Sequence, residues 1–279
     1  MANAPTKPTT PVKKEGSSSS GVFSSLAIPI CFVVALGVFF FILSDPSHFK
    51  GGNPDNDPVD ILGTIHKGGY IVPIIMTMLL MVIVFSIERF VVINKASGTG
   101  SVDSFVRKVQ GYLNAGNIDA ASAECDKQKG SVANVIKSGL KKYREMEAEP
   151  NLDVDQKTLA IQKDIEEATA LEMPMLEQNL TIIATLVSIG TLMGLLGTVI
   201  GMILAFKTMA AAGAPNQNEL SSHISEALVN TALGISTSAI SIVMYNIFTS
   251  KIDKLTYAID ETGFSIVQTF AASHKNANR

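Results

Sequence analysis

The chain has 279 residues, with 22 Lys and Arg against 25 Asp and Glu and a formal charge of −3. That near-neutral balance gives no reason to expect a nucleic-acid partner, and no zinc, P-loop or dinucleotide motif is present. The two cysteines, Cys31 in an apolar run and Cys125 in a polar one, have neither metal-ligand spacing nor an evident disulfide partner.

Residues 1–20 are rich in Pro, Thr, Ser and Lys and read as a disordered tail. Residues 21–43 follow without a charge. A spanning helix needs roughly 20 apolar residues at about 1.5 Å each, so this run is a candidate first span. Its length, and the poor cleavage context Ser44-Asp45-Pro46-Ser47, favour a retained anchor over a signal peptide. Residues 44–67 form an acidic, turn-rich loop. Asp55, Asp57 and Asp60 lack the EF-hand spacing and its terminal Glu, so they read as a solvated turn rather than a calcium site.

The second span is read over 68–94. Residues 95–177 carry helical periodicity: Val102–Ala115, Ile118–Lys129 and Val132–Glu147, with stops at Gly116-Asn117 and at Glu149-Pro150-Asn151. From Val154 the pattern runs into the third span, 178–206, and Pro174 is expected to kink that helix rather than end it. A loop at 207–226, the fourth span at 227–250, and a helix and tail over 251–279 complete the chain. The fold class is all-α, a polytopic membrane protein with four transmembrane helices. Two of them extend into a cytoplasmic helical domain. Lys and Arg concentrate before the first span, in 88–177 and after the fourth span, which places both termini and the helical domain in the cytoplasm and the loops 44–67 and 207–226 outside.

The last two spans are unusual for their hydroxyls. Thr181, Thr185, Ser188, Thr191 and Thr198 recur at steps of three, four or seven on the third. Thr231, Gly234, Ser238, Ser241 and Tyr245 do so on the fourth, with Asn230 and Thr237 beside them. Such groups normally bond their own backbone or a neighbouring helix. Two facing stripes could also line a polar seam or dock a polar element of another chain. Gly190 and Gly194, then Gly197 and Gly201, allow close helix approach. No Asp, Glu, His, Lys or Arg lies deep in any span. Hydroxyls alone do not hold and release protons near neutral pH, so a proton path here requires a partner's carboxylate. Glu226, just before the fourth span, is either an acid at the mouth of such a path or a helix-start acid favoured by the dipole. The spans offer no nucleophile, base or metal set for an intramembrane enzyme, and no cofactor is expected.

Three motifs are more specific. Leu195-Leu196-Gly197-Thr198-Val199-Ile200-Gly201-Met202, Ile224-Ser225-Glu226-Ala227-Leu228-Val229-Asn230-Thr231-Ala232-Leu233-Gly234 and Tyr245-Asn246-Ile247-Phe248 resemble, in order and spacing, the span signatures of the MotA/TolQ/ExbB family, on its ExbB side. The resemblance implies a pentamer around two single-span ExbD-like subunits that supply a membrane Asp, coupled to a TonB-like protein in a bacterial inner membrane. It implies that Thr198 and Thr231 face the pore and that Glu226 is the family's fourth-span glutamate. The additional first span departs from the three usual in ExbB and TolQ. A TolQ-like or gliding-motor subunit, and a passive membrane scaffold, are the alternatives.

Overall fold

The computed structural model describes residues 17–54, 56–211 and 217–275; residues 1–16 of the expected disordered tail and Asp55 lie outside the described residues, and residues 17–20 of that tail open the first helix instead. The elements are α1 (Ser17–Gly37), α2 (Ile61–His66), α3 (Ile71–Ser97), α4 (Val102–Asn114), α5 (Ile118–Gln128), α6 (Gly130–Ala148), α7 (Val154–Glu177), α8 (Leu180–Ala211) and α9 (Gln217–Lys275). A π-helical turn, Val38–Leu43, continues α1, and among the described residues there is no β-strand. Among the described residues four helices are long and apolar enough to cross a membrane.

Local chemistry explains the helix ends. Gly116, at φ +70°, closes α4, and the Asn117 side chain then accepts the Ala120 N–H at 3.0 Å to start α5. Asp153 and Gln156 form a reciprocal capping box at the start of α7. Pro174 lies inside α7 and does not end it, as expected. The interruption falls four residues later instead. Gln178 is extended and Asn179 takes a left-handed φ of +63°, so α7 and α8 are two helices rather than one kinked rod. Asn tolerates that conformation better than most residues. By contrast α9 runs unbroken for 59 residues, or roughly 88 Å at helical rise. Gly263 does not interrupt it, because the missing Cβ makes room for Ile165 of α7.

The layout follows from what each helix buries. α8 and α9 pack along each other, and α3 lies against both. On α1 the buried positions Ala27, Cys31 and Ala35, continued by Phe39 and Leu43, recur every fourth residue and make one stripe, which packs on α3. Beyond the spans, α4, α6 and α7 pack on α9, and α5 on α4 and α6, around a core that includes Phe105, Leu113, Ile136, Leu140, Ile161, Ile259 and Phe270. The Tyr143 and Phe270 rings meet edge-on at 4.9 Å.

The connection between α1 and α3 is ordered by its own polar groups. Asp60 caps α2 through the Gly63 N–H at 2.9 Å and meets His48 Nδ1 at 2.6 Å. That backbone donation holds the Asp60 carboxyl below its ordinary pKa. His66 stacks on Phe39 at 4.7 Å, and burial lowers its pKa and favours the neutral ring. A cleft of 400 Å³ lined by Asp57, Lys67, Glu219 and Ser222 joins this connection to the start of α9. The α1–α3 connection and the start of α9 therefore lie at one end of the spans, called here the loop end, and the helical body lies at the other.

Candidate functional site: the seam between α8 and α9

Glycines bring the two helices together. A Cβ on Gly190 would lie 2.7 Å from Ser238 Oγ, one on Gly194 3.1 Å from the Gly234 Cα, and one on Gly201 2.8 Å from Ala227 Cβ. On the other side, a Cβ on Gly234 would sit 2.6 Å from the Gly190 carbonyl oxygen. A contact this close excludes a larger side chain at any of these positions.

Within that contact two pairs of hydroxyls meet. Thr198 Oγ1 and Thr231 Oγ1 are 2.6 Å apart, and each also reaches the Gly194 carbonyl, at 3.2 and 3.1 Å. Two turns towards the body, Thr191 donates to Ser238 Oγ at 2.8 Å. Ser241, fully buried, donates to the Thr237 carbonyl of its own helix at 2.8 Å. At the loop end, His223 Nδ1 and Glu226 Oε2 meet at 3.1 Å, with both side chains about a quarter exposed. At the body end, Tyr245 lines a cleft of 410 Å³ with Glu177, Thr181, Thr249 and Asp253. The seam therefore has carboxylates at both ends and no ionisable group between them.

The third-span hydroxyls do not form a single stripe opposite α9. Thr191 and Thr198 are seven residues apart, about 20° from eclipsed, and both meet α9 hydroxyls. Thr185 lies about 140° around the helix from Thr198 by the same count. It is exposed and bonds the Thr181 carbonyl of its own helix at 2.7 Å, and Ser188 is exposed too. Steps of three and four, added in unequal number, drift around an α-helix.

Three residues gain roles that the sequence reading did not assign. Arg89 is 1% exposed. Its Nη1 donates to the Met175 and Leu176 carbonyls at 3.0 and 3.1 Å, and its Nε to Glu88 at 2.6 Å. It thus caps the end of α7, where the break leaves carbonyls without helical partners. Asn179, at the break, donates to the same Glu88 at 3.3 Å. An Asn five residues after a helical Pro was the available signal for the break. The third is Asn230, whose side chain is buried among α8, α9 and the start of α3. Neither cysteine is poised for chemistry. Both are free and buried, and burial pushes the Cys125 thiol up to about 12. Among the described residues no cluster of His, Cys, Asp or Glu could hold a metal.

Four helices long and apolar enough to span, two of them closed on each other by glycine along a hydroxyl-bearing seam, define a multi-pass membrane protein. Residues 127–261 match the model of the MotA/TolQ/ExbB proton channel family. The chain is 34% identical over 88 residues to a putative biopolymer transport protein ExbB-like 3 of Synechocystis, covering 31% of this chain and 42% of that one. It is 27% identical over 124 residues to the Tol-Pal system protein TolQ of Pseudomonas aeruginosa (44% and 54%), and 38% over 77 residues to the biopolymer transport protein ExbB of Aquifex aeolicus (28% and 52%). The matches span about half the length of these curated relatives. The family is one of proton channels, not of enzymes.

Proposed function

We propose that this chain is the ring-forming subunit of a proton-driven membrane motor of ExbB type. In this reading several copies, five by the family resemblance, surround two single-span ExbD-like partners. The complex turns proton-motive force into motion that a TonB-like protein carries to the outer membrane. The chain sits in the bacterial inner membrane with its termini and helical body in the cytoplasm, and the residue ranges of the sequence reading are its working parts. The observation that carries the reading is the seam: paired hydroxyls at Thr198–Thr231 and Thr191–Ser238, with ionisable groups only at its ends. A path of this kind can pass protons only if another helix brings a carboxylate to it. Thr185 and Ser188, exposed on the single chain, and Tyr245 at the body end extend the polar lining. Glu226 is the acid at its loop-end mouth. A partner's Asp buried among hydroxyls would have a raised pKa and could load and unload protons as it moved between the two ends.

Reconstitution tests this. Liposomes under a pH gradient are made with the chain alone, with its partner, and with the partner's membrane Asp changed to Asn. Proton flux is expected only in the second case. Selective flux from the chain alone, or undiminished flux with the Asn partner, would overturn the reading. The match to a TolQ relative over 124 residues keeps the TolQ branch as a second reading. Which outer-membrane system loses its energy supply when the chain is deleted separates the branches.

A further inference from the structure

We infer that Asn230 is a positioning residue. By donating a hydrogen bond to the Gly68 carbonyl it fixes the rotation of α9, and with it the meeting of Thr231 and Thr198. The inference deepens the seam reading and rests on it for its consequence in proton passage, but its geometric part can be tested separately.

Asn230 is 3% exposed and is held from three sides. Its Nδ2 donates to the Gly68 carbonyl at 2.8 Å, at the corner between α2 and α3. Its Cβ lies where a side chain on Gly197 of α8 would go: a Cβ there would come within 2.4 Å of Asn230 Cβ and 3.0 Å of its Nδ2. A Cβ on Gly68 would lie 3.0 Å from Asn230 Oδ1 and 2.5 Å from Val72. Two glycines from distant parts of the chain therefore leave space for one amide.

The amide is not there for burial alone. Its Oδ1 is enclosed and has no hydrogen-bond partner. A buried acceptor left unpaired is unfavourable, and an apolar residue of similar volume would avoid that cost. What an apolar residue could not supply is the directed bond to Gly68. Thr231 is the next residue along α9, so anything that sets the axial rotation at Asn230 sets it for Thr231. At a radius of about 4 Å, a rotation of about 20° would move the Thr231 hydroxyl by roughly 1.4 Å. Its bond to Thr198, at 2.6 Å, would not survive that shift.

The donor requirement provides the test. Asn230→Ala removes the bond at every pH. Asn230→Asp keeps the shape but can donate to Gly68 only while its carboxyl is protonated. The ionisable groups closest along the chain are His66 and Lys67 beside Gly68, and His223 and Glu226 on α9; α8 carries none before Lys207.

Two readouts are needed. The first is the rate at which cysteines placed at Thr198 and Thr231 cross-link in the membrane, with Cys31 and Cys125 changed to Ala. It is measured for each residue at 230 relative to Asn at the same pH, and needs neither partner nor proton flux. The second is proton flux of the complex with both threonines intact. Ala is expected to lower both by about tenfold or more at all pH values. Asp is expected to match Asn in acid and to fall to the Ala level in alkali. Cross-linking of the Ala variant at the Asn rate, or an Asp variant whose relative rate does not change with pH, would overturn the inference. If cross-linking follows the expected pattern while flux does not, the positioning role stands and the seam reading fails.

Discussion

A threonine in a lipid-embedded helix has a default partner, the carbonyl four residues back, and most of the threonines in α8 and α9 use it. Thr185, Thr208, Thr237 and Ser241 all do. Thr198 and Thr231 add a second contact, to each other, across two helices held together by glycine. The extra contact contributes little to stability, on the order of 1 kcal/mol. Changing either residue to Val keeps the shape of the contact while removing its polarity. We therefore expect Thr198→Val and Thr231→Val to assemble normally, by size-exclusion profile and pull-down of the partner, and to lose proton flux by about tenfold or more. Variants that assemble and retain energy transduction would instead mark the chain as a passive scaffold.

At the scale of elements, the joint between α7 and α8 matters most for how the spans connect to the body. A helix that stops at the membrane surface leaves carbonyls facing an environment poor in donors. Arg89, reaching over from α3, supplies them, and Glu88 and Asn179 complete the cluster. The joint is thus fastened to the second span rather than left free. Removing one partner of a buried ion pair typically costs about 3–5 kcal/mol, because the remaining charge is stranded. Arg89→Leu is expected to destabilise by that order. It should lower the thermal midpoint in detergent and speed proteolysis near residue 178. A variant with the midpoint of the parent would show that the cluster adds nothing to the joint.

For the whole molecule, the arrangement separates a seam from its supports. α1 packs on α3 through small residues, so the additional span acts as a buttress to the second. Ser47, on the connection after α1, and Ser273, near the end of α9, are exposed at opposite ends of the spans. With basic residues concentrated at the body end, we expect Ser47→Cys to be labelled by an impermeant maleimide from outside the cell and Ser273→Cys only after permeabilisation. The reverse pattern would invert the orientation.

Much of this was written in local sequence. Spans follow from uninterrupted apolar runs, and the ends of α4, α5 and α7 follow from Gly116, Asn117 and Asp153, whose capping contacts reach no further than a few residues. The absence of a deep ionisable group needed no structure at all. The facing of hydroxyls was only half legible, because small errors in rotation accumulate along a helix: Thr191 and Thr198 meet partners, whereas Thr185 and Ser188 do not. The fastening of α7 by Arg89 and the seat of Asn230 between Gly68 and Gly197 were not legible. Each joins groups dozens of positions apart or more, and such partners are chosen by how helices pack against one another, which no local pattern records.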